Sequence, residues 1–231
     1  MPASVIQGGR ALKKKVFGIL SSEDLNHAEV ALCRLPPRRV INPLFGLLNN
    51  PDQEIRWAAV IAFGAVVTNL ADQDLESARV IMRRIMWNLN DESGGMGWGL
   101  PEAMGEILAR NEILAGEYAT VYVSYADRKA NYLEHEGLQR GLLWGLGRLA
   151  EVRPQYAETA VRHLLPYLDS ADPGVRGHAA RLIGLLRVKA ARPQIESLMN
   201  DQSTFQTYVR PLLVTRHIRD VATEALRALG A

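Results

Sequence analysis

The chain has 231 residues, 48% hydrophobic and 23% charged, which supplies a full core and argues against disorder. Its net charge is +2, and its one cysteine, Cys33, excludes an internal disulfide and fits a reducing compartment, so a cytoplasmic location is expected. The longest uncharged run, Trp57 to Ala71, is too short to cross a bilayer and reads as a buried helix, while Lys13, Lys14 and Lys15 precede no recognisable export signal.

In chain order, short helices are expected near Gly9 to Leu20 and Asp24 to Leu35, forming an N-terminal cap over residues 1–35. Pro36 and Pro37 start a helix that ends near Leu48. Asn49 to Asp52 then makes a turn, and Asp52 is placed to cap a helix whose apolar face is Ile55, Ala58, Ala59 and Phe63. A second pair reads Leu75 to Leu89 and Trp98 to Arg110; a third reads Glu117 to Tyr132 and His135 to Ala150. The fourth runs from Pro154 to Leu168, turns at Ser170 to Gly174 with Asp172 as cap and Pro173 in the first helical turn, and continues from Val175 to Val188. The fifth is Arg192 to Met199, a long connection through Thr204 to Pro211, and a helix from Thr215 to Leu229.

A glycine returns at one place in the second helix of each of the first four pairs, at Gly64, Gly105, Gly147 and Gly184. A period of this size marks stacked helical hairpins, so the fold class is all-α, an α-solenoid of about five hairpins in one domain, 1–231. The repeats fall at 36–70, 74–110, 117–150, 154–188 and 190–230. Arg227 stands where the glycine would be in the last, as suits a terminal unit.

Asp172 to Gly184, read as Asp-Pro-Gly-Val-Arg-Gly-His-Ala-Ala-Arg-Leu-Ile-Gly, resembles the HEAT-like repeat first associated with phycobilisome lyases, and Asp52 to Gly64 is a looser copy. The second and third units lack the capping aspartate and the arginine that follows it. The resemblance implies a HEAT-like superhelix with its second helices on the concave side, and a binding style rather than a reaction.

Counting back from each glycine places Trp57, Trp98 and Arg140 seven positions before it, and Glu102, Trp144 and Arg181 three before it. These positions share one helix face, so three tryptophans fall on a single ridge. The expected partner contacts are therefore Trp57, Trp98, Glu102, Arg140, Trp144 and Arg181, with Arg56 and Arg148 beside them. The tryptophans have a second reading, as filling between neighbouring repeats. The Gly94 to Gly99 run likewise either offers backbone amides to an anion, or lets a helix or loop pack closely or Trp98 turn into the groove.

Charge is unevenly spread: residues 1–39 carry +4, residues 88–136 carry −6 and residues 137–231 carry +5. An interrupted positive surface makes nucleic acid an unfavoured partner. Arginines outnumber lysines 22 to 5, which suits planar pairing with carboxylates between helices. Asp91, Glu92, Glu134, His135 and Glu136 read as solvated acidic turns, and His178 as a helix-surface or packing residue. No metal site, cofactor, catalytic group or membrane association is expected.

The leading expectation is a non-enzymatic scaffold that binds a protein or peptide along the concave ridge. By resemblance alone, two alternatives stand. One is a HEAT-like glycosylase for alkylated DNA bases, with Trp98 and Trp144 holding DNA and Glu102 stabilising positive charge on the sugar. The other is a lyase-like or chaperone subunit for a cofactor-bearing protein.

Overall fold

The computed structural model describes residues 9–21, 24–91 and 97–230. Its helices form two rows. The first helices of the hairpins are α1 (Gly9–Leu20), α3 (Pro37–Leu47), α5 (Leu75–Leu89), α7 (Glu112–Ser124), the short α9 (Pro154–Ala157) and α10 (Val161–Leu164), and α12 (Arg192–Ser197). The second helices are α2 (Leu25–Cys33), α4 (Gln53–Gln73), α6 (Leu100–Arg110), α8 (Glu136–Val152), α11 (Pro173–Leu185) and α13 (Ile218–Gly230), and each packs on the next in that order. The N-terminal pair α1 and α2 therefore continues the stack, packing on α3 and α4. The fold is an α-solenoid, as the glycine period implies.

Capping sets where the second helices begin. Asp52 accepts the Glu54 amide at 2.8 Å, and Asp172 accepts the Val175 amide at 2.9 Å. Four residues after each aspartate an arginine clamps the turn: Arg56 donates to the Asn50 carbonyl at 3.2 Å, and Arg176 to that of Ser170 at 2.7 Å. The second and third units use other devices. His135 Nδ1 accepts the Gly137 amide at 3.0 Å, while α6 starts from Gly99 at φ 73, a left-handed conformation that glycine adopts without strain.

The recurrent glycine has two physical roles. A Cβ on Gly105 would overlap the backbone of Gly145 on α8, and one on Gly184 would lie 2.9 Å from the Ala225 Cα, so these two let helices touch backbone to backbone. Gly64 and Gly147 instead leave room for long side chains. A Cβ on Gly64 would come within 2.5 Å of Glu106 Cγ, and one on Gly147 would strike the Arg181 guanidinium.

By length and hydropathy α4 passes as a membrane span, the only helix among the described residues to do so. It lies in the middle of the stack with Ala59 to Val67 buried, packed against α2, α3, α5 and α6, which makes it a core helix.

Four sequence expectations change. The first helix of the third unit starts at Glu112 rather than Glu117 and ends at Ser124 rather than Tyr132; Asn111 caps it through the Leu114 amide at 3.0 Å, and an Asp127 turn follows it. The expected helix from Pro154 to Leu168 is broken into short α and 3-10 turns, with Pro166 unable to continue the ladder. Helix α6 begins at Leu100, two residues after Trp98. The connection after Met199 is a β-hairpin, β1 (Thr204–Val209) antiparallel to β2 (Leu212–His217), and α13 follows it directly at Ile218 rather than Thr215. Glu92 and Gly94 to Met96, which carry part of the acidic-turn and glycine-run readings, lie outside the described residues.

Candidate functional site

The hairpin crosses the row of second helices, the face that the HEAT-like resemblance implies to be the inner one. Tyr208 stacks on Trp57 with ring centroids 5.0 Å apart and planes 11° from parallel. Trp144 lies 4.7 Å from Trp57 and donates its indole N–H to the Tyr208 carbonyl at 3.0 Å. Phe205 fills the space over Gly177, and its ring meets that of His178 at 5.2 Å. At the tip, Arg210 donates to Asn26 at 2.6 Å and Glu29 at 2.7 Å, both on α2. A strap from the last unit thus reaches the first.

On one side of this strap runs a chain of ion pairs. Arg210 and Arg110 share Glu29, Arg110 and Arg148 share the fully buried Glu106 at 2.7 and 2.9 Å, and Arg148 and Arg181 share Glu151. It connects α2, α6, α8, α11 and the hairpin tip. Burial works against the charges of Arg110 and Arg148, but their carboxylate partners more than offset it and hold both above the usual arginine range. Arg79 with Glu117 and Arg153 with Glu112 add pairs between first helices and their surroundings. Two acids of the middle segment, Glu106 and Glu112, thus serve as counter-charges for Arg148 and Arg153 of the basic segment that follows it.

On the other side, where α4, α6, α8 and α11 begin, lies a cleft of about 570 Å³. Its lining includes Asn50, Arg56, Trp57, Trp98, Glu102, Gly137, Arg140, Gly141, Asp172, His178 and, from the hairpin, Phe205 and Gln206. Glu102 occupies its floor, in space that a Cβ on Gly141 would take. One carboxylate oxygen, Oε2, is buried and has no hydrogen-bond partner. Burial pushes the Glu102 carboxyl up to about 7, against the opposing pull of its own backbone N–H and the charges of Arg56 and Arg140. Neither arginine pairs with it: Arg56 is held by the Asn50 carbonyl, and Arg140 lies 3.5 Å from Asp172. Across the cleft His178 is 4% exposed with Nδ1 unpartnered, and burial, with Arg181 and Arg140 nearby, holds its ring neutral, down to about 3.

The structure brings Trp57, Trp98, Glu102 and Arg140 to one cleft, with Arg56 among them, as the ridge implies. Trp144 also lines this cleft, but is only 3% exposed beneath Tyr208, because the hairpin takes its indole as an internal partner. One expected contact sits elsewhere. Arg181 lies in the ion-pair chain, as does Arg148, because Glu151 is within reach of both. His178, Phe205 and Gln206 went unrecognised as lining residues. The hairpin had left a trace in the apolar and β-branched residues on both sides of Arg210-Pro211. Among the described residues no group of three or more His, Cys, Asp or Glu side chains comes together to hold a metal.

Residues 40–70 match the family model of the HEAT repeat. With six successive second helices in one row among the described residues, the fold is an α-solenoid, and this stretch of it is similar to a HEAT repeat. A crystal structure of an engineered protein is similar over 94% of this chain and 95% of its own, with a TM-score of 0.52 and 17% identity, a likeness of fold alone. A designed armadillo repeat protein gives a TM-score of 0.47 at 17% identity, covering 94% and 99%. An Archaeoglobus fulgidus protein named only as uncharacterized is 30% identical over 118 residues, 51% of this chain and 56% of the relative, so the match spans about half of each. Repeat solenoids are an architecture of protein interaction.

Proposed function

We propose that the protein is a non-enzymatic scaffold that holds a protein or peptide partner at the inner face, in the cleft beside the hairpin. The observation that carries this reading is the cleft itself, a concave site with half-buried tryptophans and unsatisfied polar atoms in a fold that elsewhere along this face pairs its charges. Aromatic and arginine groups around a concave site are the mixture that dominates interface energetics. The strap narrows what fits: a long helix or a duplex would meet Tyr208 and Phe205, whereas a loop or an extended segment enters from the turn edge.

The test is site-specific photo-crosslinking. A photoreactive amino acid in place of Gln53 or Gln206, both exposed at the cleft, is expected to capture a defined partner in cells, and Trp98→Ala is expected to abolish the product. The same group in place of Val80 on α5 serves as the outer-face control. Equal capture from the outer face would remove the assignment. Release of an alkylated base from duplex DNA by the wild type and not by Glu102→Gln would replace it with the glycosylase reading.

A further inference from the structure

We propose that the cleft seats one basic side chain, lysine or arginine, of a protein partner, with Glu102 as its counter-charge and Trp57 and Trp98 as walls for its stem and charged head. This rests on the reading of the inner face as a protein-binding surface. The starting observation is a buried carboxylate oxygen, Glu102 Oε2, without a donor. An acceptor left unpaired in this way costs the protein stability. The Glu102 side chain as a whole is partly exposed at the cleft, so its rotation toward an N–H donor from outside restores the missing bond. A charged donor gains most, since charge-assisted hydrogen bonds are about twice as strong as neutral ones.

The neighbouring charges leave this role open. Facing Glu102 are Arg56 from α4, Tyr122 from α7 and Arg140 from α8, with Asp172 and His178 across the cleft at α11. Tyr122 donates to the Pro101 carbonyl at 2.8 Å, and the two arginines are engaged as described. An anionic ligand would find spare N–H donors on both arginines, but it would also meet the carboxylates of Glu102 and Asp172. A cation meets an unpartnered carboxylate, the neutral His178 ring and the Trp98 indole, which is suited to cation–π contact. Trp57, stacked on Tyr208 and packed by Trp144, offers an apolar edge. The apolar walls also fit the long methylene stems of lysine and arginine.

The binding has a definite pH signature. A bound cation favours ionised Glu102, so affinity should rise as pH increases through about 7, gaining roughly tenfold between about pH 6 and pH 8. An anionic ligand would show the opposite slope.

The experiment titrates the full chain with capped pentaglycine peptides whose central residue is replaced by lysine, arginine, norleucine or glutamate, and with 7-methylguanosine, following indole fluorescence. Expected are binding of the lysine and arginine peptides at least tenfold tighter than the other two peptides, the rising pH dependence, and at least a tenfold loss in Glu102→Gln. Circular dichroism shows whether that variant is folded, and Trp98→Ala provides a second route to the same loss. The proposal is overturned by undetectable binding of the basic peptides at millimolar concentration, by preference for the glutamate peptide, by unchanged affinity in folded Glu102→Gln, or by tighter binding of 7-methylguanosine. If crosslinking captures a partner from the cleft but basic peptides do not bind, the scaffold reading stands and this specificity falls. If neither occurs, both fall.

Discussion

Glu102 and Glu106 stand one turn apart on the same face of α6, yet their surroundings are opposite. Glu106 is fully buried between two guanidinium groups and ties α6 to α8. Glu102 has two arginines nearby that are held by other groups, and one of its oxygens has no partner. The difference lies in what the neighbouring repeats present. Beside Glu106 they offer Gly64 as open space and Arg148 as a partner, while beside Glu102 they offer glycines and tryptophans. One half of the inner face thus pairs its charges and holds the repeats together, with Arg110 Nη2 of its ion-pair chain left over, and the other keeps an unpaired carboxylate oxygen for something outside. Departures from polar satisfaction in a folded protein concentrate at functional sites.

The comparison is broken most severely at its shared support. Gly105→Ala inserts a methyl into the α6–α8 backbone contact that carries both glutamates, with an expected loss of about 3 kcal/mol or more; a fall in melting temperature without loss of helical signal at low temperature would show this. Glu106→Gln strikes one side only. It leaves Arg110 and Arg148 without their common carboxylate, and urea unfolding should register a loss of roughly 3 kcal/mol.

Glu102→Gln should act in the opposite direction. The folded carboxyl is raised to about 7 from an ordinary 4.5, so its stability contribution is present below the ordinary value and is lost as pH rises through the folded one. The variant is therefore expected to be more stable than wild type by about 2 kcal/mol near pH 8, with the gap closing toward pH 4, as paired unfolding curves would show. A variant less stable than wild type at pH 8 would mean that Glu102 is structurally satisfied. Arg210→Ala is the mildest change. Its side chain is 43% exposed, so the expected loss is about 1 kcal/mol or less, concentrated in faster hydrogen exchange of hairpin amides.

Much of this was legible in the chain. The glycine period gave the row of second helices, because every unit must bury the same face against its neighbours, and counting from it put Trp57, Trp98, Glu102 and Arg140 together. Asp52 and Asp172 were recognisable as caps because aspartate just ahead of a helical run has one common use. The surplus of arginine implied pairing between helices, and the Glu106 chain is such pairing. The hairpin was not read because only fourteen residues carry it and a connection was expected there. Its effect reaches far from those residues: it covers Trp144, contributes Phe205 and Gln206 to the cleft wall, and joins Glu29 to Arg210.

The sequence by itself determined the repeat, the register of its glycines and the face on which the large side chains stand, since these follow from local periodicity and capping. Only the tertiary structure decided which charges meet. Glu102 and Glu106 carry the same side chain four residues apart, and their difference comes from Arg56, Arg140, Arg110 and Arg148, three of them supplied by other helices. Pairing depends on distances of a few ångströms between helices that the chain brings together only on folding, so the partnered and unpartnered glutamates cannot be told apart from order along the chain.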